Sequence, residues 1–144
     1  MFSKACEYAI RASVCIAACG VEGKSMRLGE IAKKTDLPEA FTAKVLQQLV
    51  HANLVTSTKG PGGGFSITPA LARKVNLSHI VATIDGDDVY KGCALGLPQC
   101  DARKPCPLHD HFLQIREQLR RMLESTSVQD LVDDLKEGGA VLKR

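Results

Sequence analysis

Residues 39–68, EAFTAKVLQQLVHANLVTSTKGPGGGFSIT, run from a helical pattern straight into a glycine-rich hairpin pattern. In the first part Val45, Leu46, Leu49 and Val50 recur at helical spacing and mark the inward face of a helix over 39–53. Ala40, Lys44, Gln47 and His51 are spaced by four, three and four and form another face. That face carries few large apolar groups and two long hydrogen-bonding side chains. Phe41 fits either side. From Leu54 to Thr68, two short runs with β-branched residues flank a turn holding four glycines and a proline, the pattern of a β-hairpin. The GPGGG segment lacks the Lys-Ser/Thr ending of a phosphate-binding loop and leads into a strand, so a nucleotide site is not expected there.

Upstream, LGEIAKKT (28–35) reads as a shorter helix with Leu28, Ile31 and Ala32 on one side. DLP after it makes a tight turn, because a residue before proline is pushed out of the α region. Residues 2–19 form an amphipathic first helix through Ala5, Ala9, Ala12, Ile16 and Cys19, which GVEG (20–23) is expected to end. A helix–turn–helix followed at once by a hairpin is the winged helix–turn–helix arrangement. The second helix of such a motif lies in the major groove of DNA. Lys44 and Gln47 are then base or phosphate contacts, with Ala40 on the same face. Lys59 beside Gly60 and Pro61 is a cation on a tight turn that can approach a phosphate or a narrow minor groove. Lys33 and Lys34 could add backbone contacts.

Downstream, NLSHIVATIDG (76–86) gives a short helix with Leu77, Ile80, Val81 and Ile84 on one stripe. Leu108, Phe112, Ile115, Leu119 and Met122 then alternate by four and three, an a/d seam over a helix from Pro107 to about Thr126. Arg116, Glu117, Arg120, Arg121 and Glu124 fall on its outer face. Such a stripe needs a partner, and two-fold DNA sites favour a homodimer over packing within one chain. Ser127 and Asp130 suggest a capping box for a last helix over 128–136, closed by Gly138 and Gly139. The expected fold class is therefore mainly α. It comprises a winged helix–turn–helix DNA-binding region over 1–75 and a cysteine loop with long dimerisation helix over 76–144.

The chain has 144 residues, 44% hydrophobic and 24% charged, which suits one folded domain. With 4% aromatic residues and no Trp its core must be aliphatic, and its net charge of +3 allows a nucleic-acid partner without requiring one. SVCIAACG (13–20) looks like a lipoprotein cleavage site, but its apolar run is short and Glu7 and Arg11 interrupt what precedes it. No segment approaches the ~20 apolar residues of a membrane span, so a cytoplasmic protein with reduced thiols and no membrane partner is expected. Cys15 and Cys19, one turn apart, read as small buried hydrophobes. No paired carboxylates and no nucleophile–base set point to an enzyme.

Half of the six cysteines lie in GCALGLPQCDARKPCPLHDHF (92–112), spaced C-x6-C-x5-C. This spacing is wider than the C-x2-C pairs of common structural zinc sites, and on spacing alone three incidental thiols or a zinc site with a histidine stay open. KVLQQLVHANLVTSTKGPGGGFSI followed by this loop resembles the winged-helix regulators of the IscR and NsrR type, the Rrf-two family, over nearly the whole chain. Family members commonly carry arginine where Lys59 stands. The resemblance implies that Cys93, Cys100 and Cys106 hold an iron–sulfur cluster, of two-iron or four-iron type. It implies a fourth ligand that is either His109, as in IscR-like members, or Glu7 reaching over from the other subunit, as in NsrR-like ones. His111 and His79 are structural or surface residues in this reading. The implied function is a homodimeric regulator of a palindromic operator, its affinity set by a cluster that senses redox state, nitric oxide or iron–sulfur status. The alternatives are a redox or iron–sulfur carrier that uses the winged helix for docking, and a zinc-stabilised regulator without a cluster.

Overall fold

The computed structural model describes residues 1–20 and 24–143, so Val21, Glu22 and Gly23 of the expected GVEG terminator lie outside the described residues. The order is α1 (Lys4–Cys19), α2 (Leu28–Thr35), α3 (Glu39–His51), β1 (Thr56–Thr58), β2 (Gly64–Ser66), α4 (Pro69–Lys74), α5 (Leu77–Asp85), α6 (Asp88–Lys91), α7 (His109–Ser125) and α8 (Val128–Lys136). It is a mainly helical, winged helix–turn–helix fold. The short helices α4 and α6 are additions to the elements expected from the sequence.

Helix α1 is the axle. Ser3 caps it by accepting the Cys6 N–H at 3.0 Å, and Gly20 closes it by donating to the Ile16 carbonyl. Cys6, Ala9, Ala12, Val14 and Ile16 are fully buried. The small Cys6, Ala9 and Ala12 side chains let backbones approach closely, and α2, α3, α5 and α8 all pack on α1. The Asp85 carboxylate at the end of α5 accepts from the Ser3 N–H at 2.9 Å and from the Ser3 hydroxyl, tying the start of α1 to the end of α5. The Arg11 guanidinium donates to the carbonyl of Thr35, the last residue of α2.

The turn between α2 and α3 is made by Asp36 in the left-handed region (φ 56°), a conformation aspartate tolerates better than most residues. Leu37 then drops into the core and Pro38 starts α3. At the other end of α3, Asn53 is also left-handed (φ 62°). Leu54 N–H reaches the Leu49 carbonyl at 2.9 Å and Asn53 N–H the Val50 carbonyl at 3.0 Å, a Schellman closure that aims the chain into the hairpin.

The hairpin pairs Thr56 with Ser66, Ser57 with Phe65 and Thr58 with Gly64 in antiparallel register. Gly60 to Gly63 form its tip, closed by Gly63 N–H on the Gly60 carbonyl at 2.9 Å, with Pro61 and left-handed Gly62 (φ 73°) in the middle. Proline followed by a positive-φ glycine is the requirement of a type II turn. Met26 pairs with Phe65 through two bonds of 2.7 and 2.8 Å, so the segment before α2 anchors the wing.

Asn76 and Ser127, the N-cap residues of α5 and α8, pair as an isolated antiparallel bridge. Val128 N–H donates to the Val75 carbonyl at 2.9 Å and Leu77 N–H to the Thr126 carbonyl at 3.0 Å. The capping box of α8 is present, Asp130 N–H on Ser127 Oγ at 3.0 Å and Ser127 N–H on Asp130 at 2.9 Å. This joint returns the chain from α7, and α8 packs on α1 and α4. Val128, Val132 and Leu123 thereby enter the same core as Ile80, Val81 and Ile16. Helix α7 itself rests mainly on α5 and α6. Only His109 and Leu123 of its residues are buried, Phe112 and Leu119 are half-buried, and Leu113, Ile115 and Met122 are exposed.

Candidate functional site

Two surfaces carry the residues singled out from the sequence. On the first, Ala40, Lys44, Gln47 and His51 of α3 are all exposed while Val45, Leu46 and Leu49 are buried. Phe41 is partly exposed and meets Tyr8 edge-on, ring centroids 5.4 Å apart. Lys59, Gly60 and Pro61 are exposed at the tip of the wing, and Lys33 and Lys34 are exposed on α2. Lys34 is engaged within the chain, its ammonium donating to Cys19 Sγ at 3.4 Å.

The second surface is the loop from Gly92 to Leu108. It is a string of turns: Gly96 N–H on the Cys93 carbonyl at 3.0 Å, Lys104 N–H on the Asp101 carbonyl at 3.1 Å, and His109 N–H on the Cys106 carbonyl at 3.0 Å. Cys93, Cys100 and Cys106 are free and half-buried. The Cys93 sulfur accepts from the backbone N–H groups of Leu95 and Leu97 and lies beside the Cys106 thiol and the Arg116 guanidinium; these partners pull its pKa below the ordinary thiol value, against its partial desolvation. Cys100 Sγ is 3.4 Å from His109 Nδ1 and accepts from Arg116 Nη2 at 3.2 Å. His109 is the first residue of α7 and 8% exposed. Cys93, Cys100, His109 and Arg116 share the wall of an open cleft of about 710 Å³.

The four loop donors thus come together as two pairs, Cys93 with Cys106 and Cys100 with His109. Among the described residues no three His, Cys, Asp or Glu side chains converge tightly enough to hold a single metal ion. The donor chemistry of three thiols and an imidazole fits an iron–sulfur cluster. Glu7, in the first turn of α1, is half-buried and ion-paired with Lys4 at 3.0 Å. His79 serves α5, its Nδ1 accepting the Asn76 N–H at 3.0 Å. His111 is exposed.

Helical spacing places Arg116 on the outer face of α7, and the structure corrects that. Its guanidinium faces the loop, donating to the Tyr90 and Gly92 carbonyls as well as to Cys100. One turn along, Arg120 stacks on the Tyr90 ring, 4.3 Å from its centroid. Nothing local in the sequence announces these partners, because they depend on α6 folding back on α7.

Comparisons agree with this architecture. A family model described as an iron-dependent transcriptional regulator, Rrf2, matches residues 2–134. An HTH-type transcriptional regulator of Aquifex aeolicus (strain VF5) is 30% identical over 110 residues, 75% of this chain and 76% of that one. The structure of CymR, the global cysteine regulator of B. subtilis, superimposes with a TM-score of 0.73 at 19% identity, covering 92% of this chain and 96% of the other. IscR of T. potens superimposes with a TM-score of 0.75 at 18% identity, over 98% and 92%. At those identities the two structures speak to the fold alone. With an exposed face on α3, a glycine-turned wing and a family match over nearly its full length, the chain belongs to the Rrf2 family of DNA-binding transcriptional regulators, which are not enzymes.

Proposed function

We propose that the protein is a cytoplasmic, homodimeric regulator of a palindromic operator whose affinity is set by an iron–sulfur cluster on the 92–108 loop. Cys93, Cys100 and Cys106 are its thiolate ligands and His109 its fourth, with Glu7 of the other subunit as the alternative. The observation that carries this reading is the 3.4 Å approach of Cys100 to His109 with Cys93 beside Cys106 in the same loop. When bound, such a cluster supplies an electron-accepting centre that oxygen, nitric oxide or iron shortage can alter.

The chain's own residues do the rest. Residues 1–75 are the reading head: Ala40, Lys44 and Gln47 face base edges in the major groove, and Lys59 with Gly60 and Pro61 brings the wing to the phosphates or the minor groove. Residues 76–144 are the sensing and pairing part. His109 joins the loop to the first turn of α7, so a change of partner at Cys100 reaches the helix that sets the separation of two recognition helices. Half-sites lie about 34 Å apart, so a small change of separation changes affinity.

Anaerobic purification with iron and sulfide counts, a visible spectrum and operator binding before and after iron removal tests the proposal. Any one of Cys93→Ser, Cys100→Ser and Cys106→Ser should abolish or greatly weaken cluster uptake, because hydroxyls suit these irons far less than sulfur. Cys15→Ser should leave uptake in place. Alanine at His109 or at Glu7 identifies the fourth ligand by which one alters the absorption. Zinc in place of iron, or a spectrum untouched by the loop cysteines, would sink the reading.

A further inference from the structure

Arg116 makes four hydrogen bonds, and their destinations are informative. Nη1 donates to the carbonyls of Tyr90 at 3.1 Å and Gly92 at 3.0 Å, Nη2 to Cys100 Sγ at 3.2 Å, and Nε to the Phe112 carbonyl at 3.4 Å. The last is its own helix. Tyr90 and Gly92 end α6, where carbonyls have no helical partner, and Gly92 is the residue immediately before Cys93. A planar guanidinium can serve backbone carbonyls on one edge and a sulfur on another, which a lysine ammonium on a flexible stem cannot do with fixed geometry. One side chain of α7 therefore holds the entrance of the thiol loop and its middle cysteine together.

We propose that Arg116 is a positioning residue for the thiol loop, fixing Cys93 and Cys100 relative to α7 so that a change at Cys100 is delivered to that helix. This rests on the cluster reading for its consequence but not for its geometry. Cys100 has two partners on α7, the His109 ring at the helix start and the Arg116 fork two turns on. If the sulfur becomes a ligand, the guanidinium's positive charge stays beside the thiolate; if the sulfur is lost as an acceptor, the fork keeps only backbone partners. Arg120 on the Tyr90 ring reinforces the same α6–α7 contact, so the loop entrance is gripped through both the backbone and the side chain of Tyr90.

The test compares wild type with Arg116→Gln and Arg116→Lys, using Gln118→Ala, an exposed position on the same helix, as a control. In iron-free protein, amide hydrogen exchange over 90–100 should speed up about tenfold in both Arg116 variants, the scale expected for loss of charged hydrogen bonds. Exchange in α1 and α3 should stay at the wild-type rate, separating a positioning role from general destabilisation. In protein reconstituted anaerobically with ferrous iron and sulfide, both variants should bleach in air several-fold faster, and the visible circular dichroism of Arg116→Gln should change in shape. Wild-type exchange over 90–100 in Arg116→Gln would overturn the proposal, as would equal effects from Gln118→Ala. If wild type takes up no iron, the cluster reading falls, and the exchange comparison still decides whether Arg116 holds the loop.

Discussion

Cys6 shows how the buried side of a helix can exceed its readable stripe: it lies off the Ala5, Ala9, Ala12, Ile16 and Cys19 positions that spacing marks, and it is fully buried. Burial drives its thiol pKa to about 12, with the Asp85 charge and hydrogen bond and Glu7 adding in the same direction. Burial likewise takes Cys15 to about 11, with the neighbouring Cys19 adding and Lys34 opposing. A thiol whose pKa is raised on folding contributes fully below the unfolded value near 9 and loses that contribution as pH climbs toward the folded value. Unfolding free energy should therefore fall as pH rises from about 9 to about 11, measured by urea denaturation, and Cys6→Ala should start less stable but fall less steeply. A variant with the wild-type slope would refute this. Asp85 could not have been inferred, because it meets Ser3 from 82 residues away along the chain. Arg116 was hidden for the same reason, while Lys44, Gln47 and Lys59 were readable because helix period and turn chemistry are local.

At the scale of elements, the wing shows how turn residues divide their labour. A Cβ on Gly62 would meet open space, so Gly62→Ala pays only for a left-handed backbone, about 1–2 kcal/mol. A Cβ on Gly64 (φ 137°) would stand 2.4 Å from the Met26 carbonyl oxygen, which cannot move without breaking the Met26–Phe65 pair. Gly64→Ala should thus cost more stability than Gly62→Ala in denaturant melts and weaken binding to the selected operator more. Equal losses would mean that the Met26 anchor does not hold the wing. The hairpin, the turn at Asp36 to Pro38 and the Ser127 cap were all visible as turn and cap residues. Helix α4 also carried a signal, Thr68 accepting the Leu71 N–H at 3.1 Å just ahead of Pro69, but its six residues show no apolar period. Helix α6 is one turn long, too short for an apolar period to show, and its Tyr90 docks on Arg120 of α7.

Across the whole molecule, the a/d seam of α7 divides into two kinds of residue. Phe112 and Leu119 are already half-buried in one chain, Leu119 against the main core. Ile115 and Met122 are 50% and 44% exposed, with nothing among the described residues to cover them. Ile115→Glu is therefore the cleaner probe of the proposed dimer. Sedimentation should move from dimer to monomer at micromolar protein while far-ultraviolet circular dichroism stays helical, and a charged Ile115 variant that remains a dimer would rule the seam out. Seven-residue periodicity revealed the stripe; which of its members the chain itself covers depended on how α5 and α6 pack beneath it. The return of α8 onto α1 carries a further consequence, for the order of events at the ribosome. Helix α1 is synthesised first and α8 last among the described helices, yet they share one core, so α1 stays partly uncovered until Val132 has left the ribosome. By then the thiol loop has already emerged. A nascent chain should gain a stable reading head only after the segment that would sense iron is exposed, so no truncated product ending before α8 should compete for the operator.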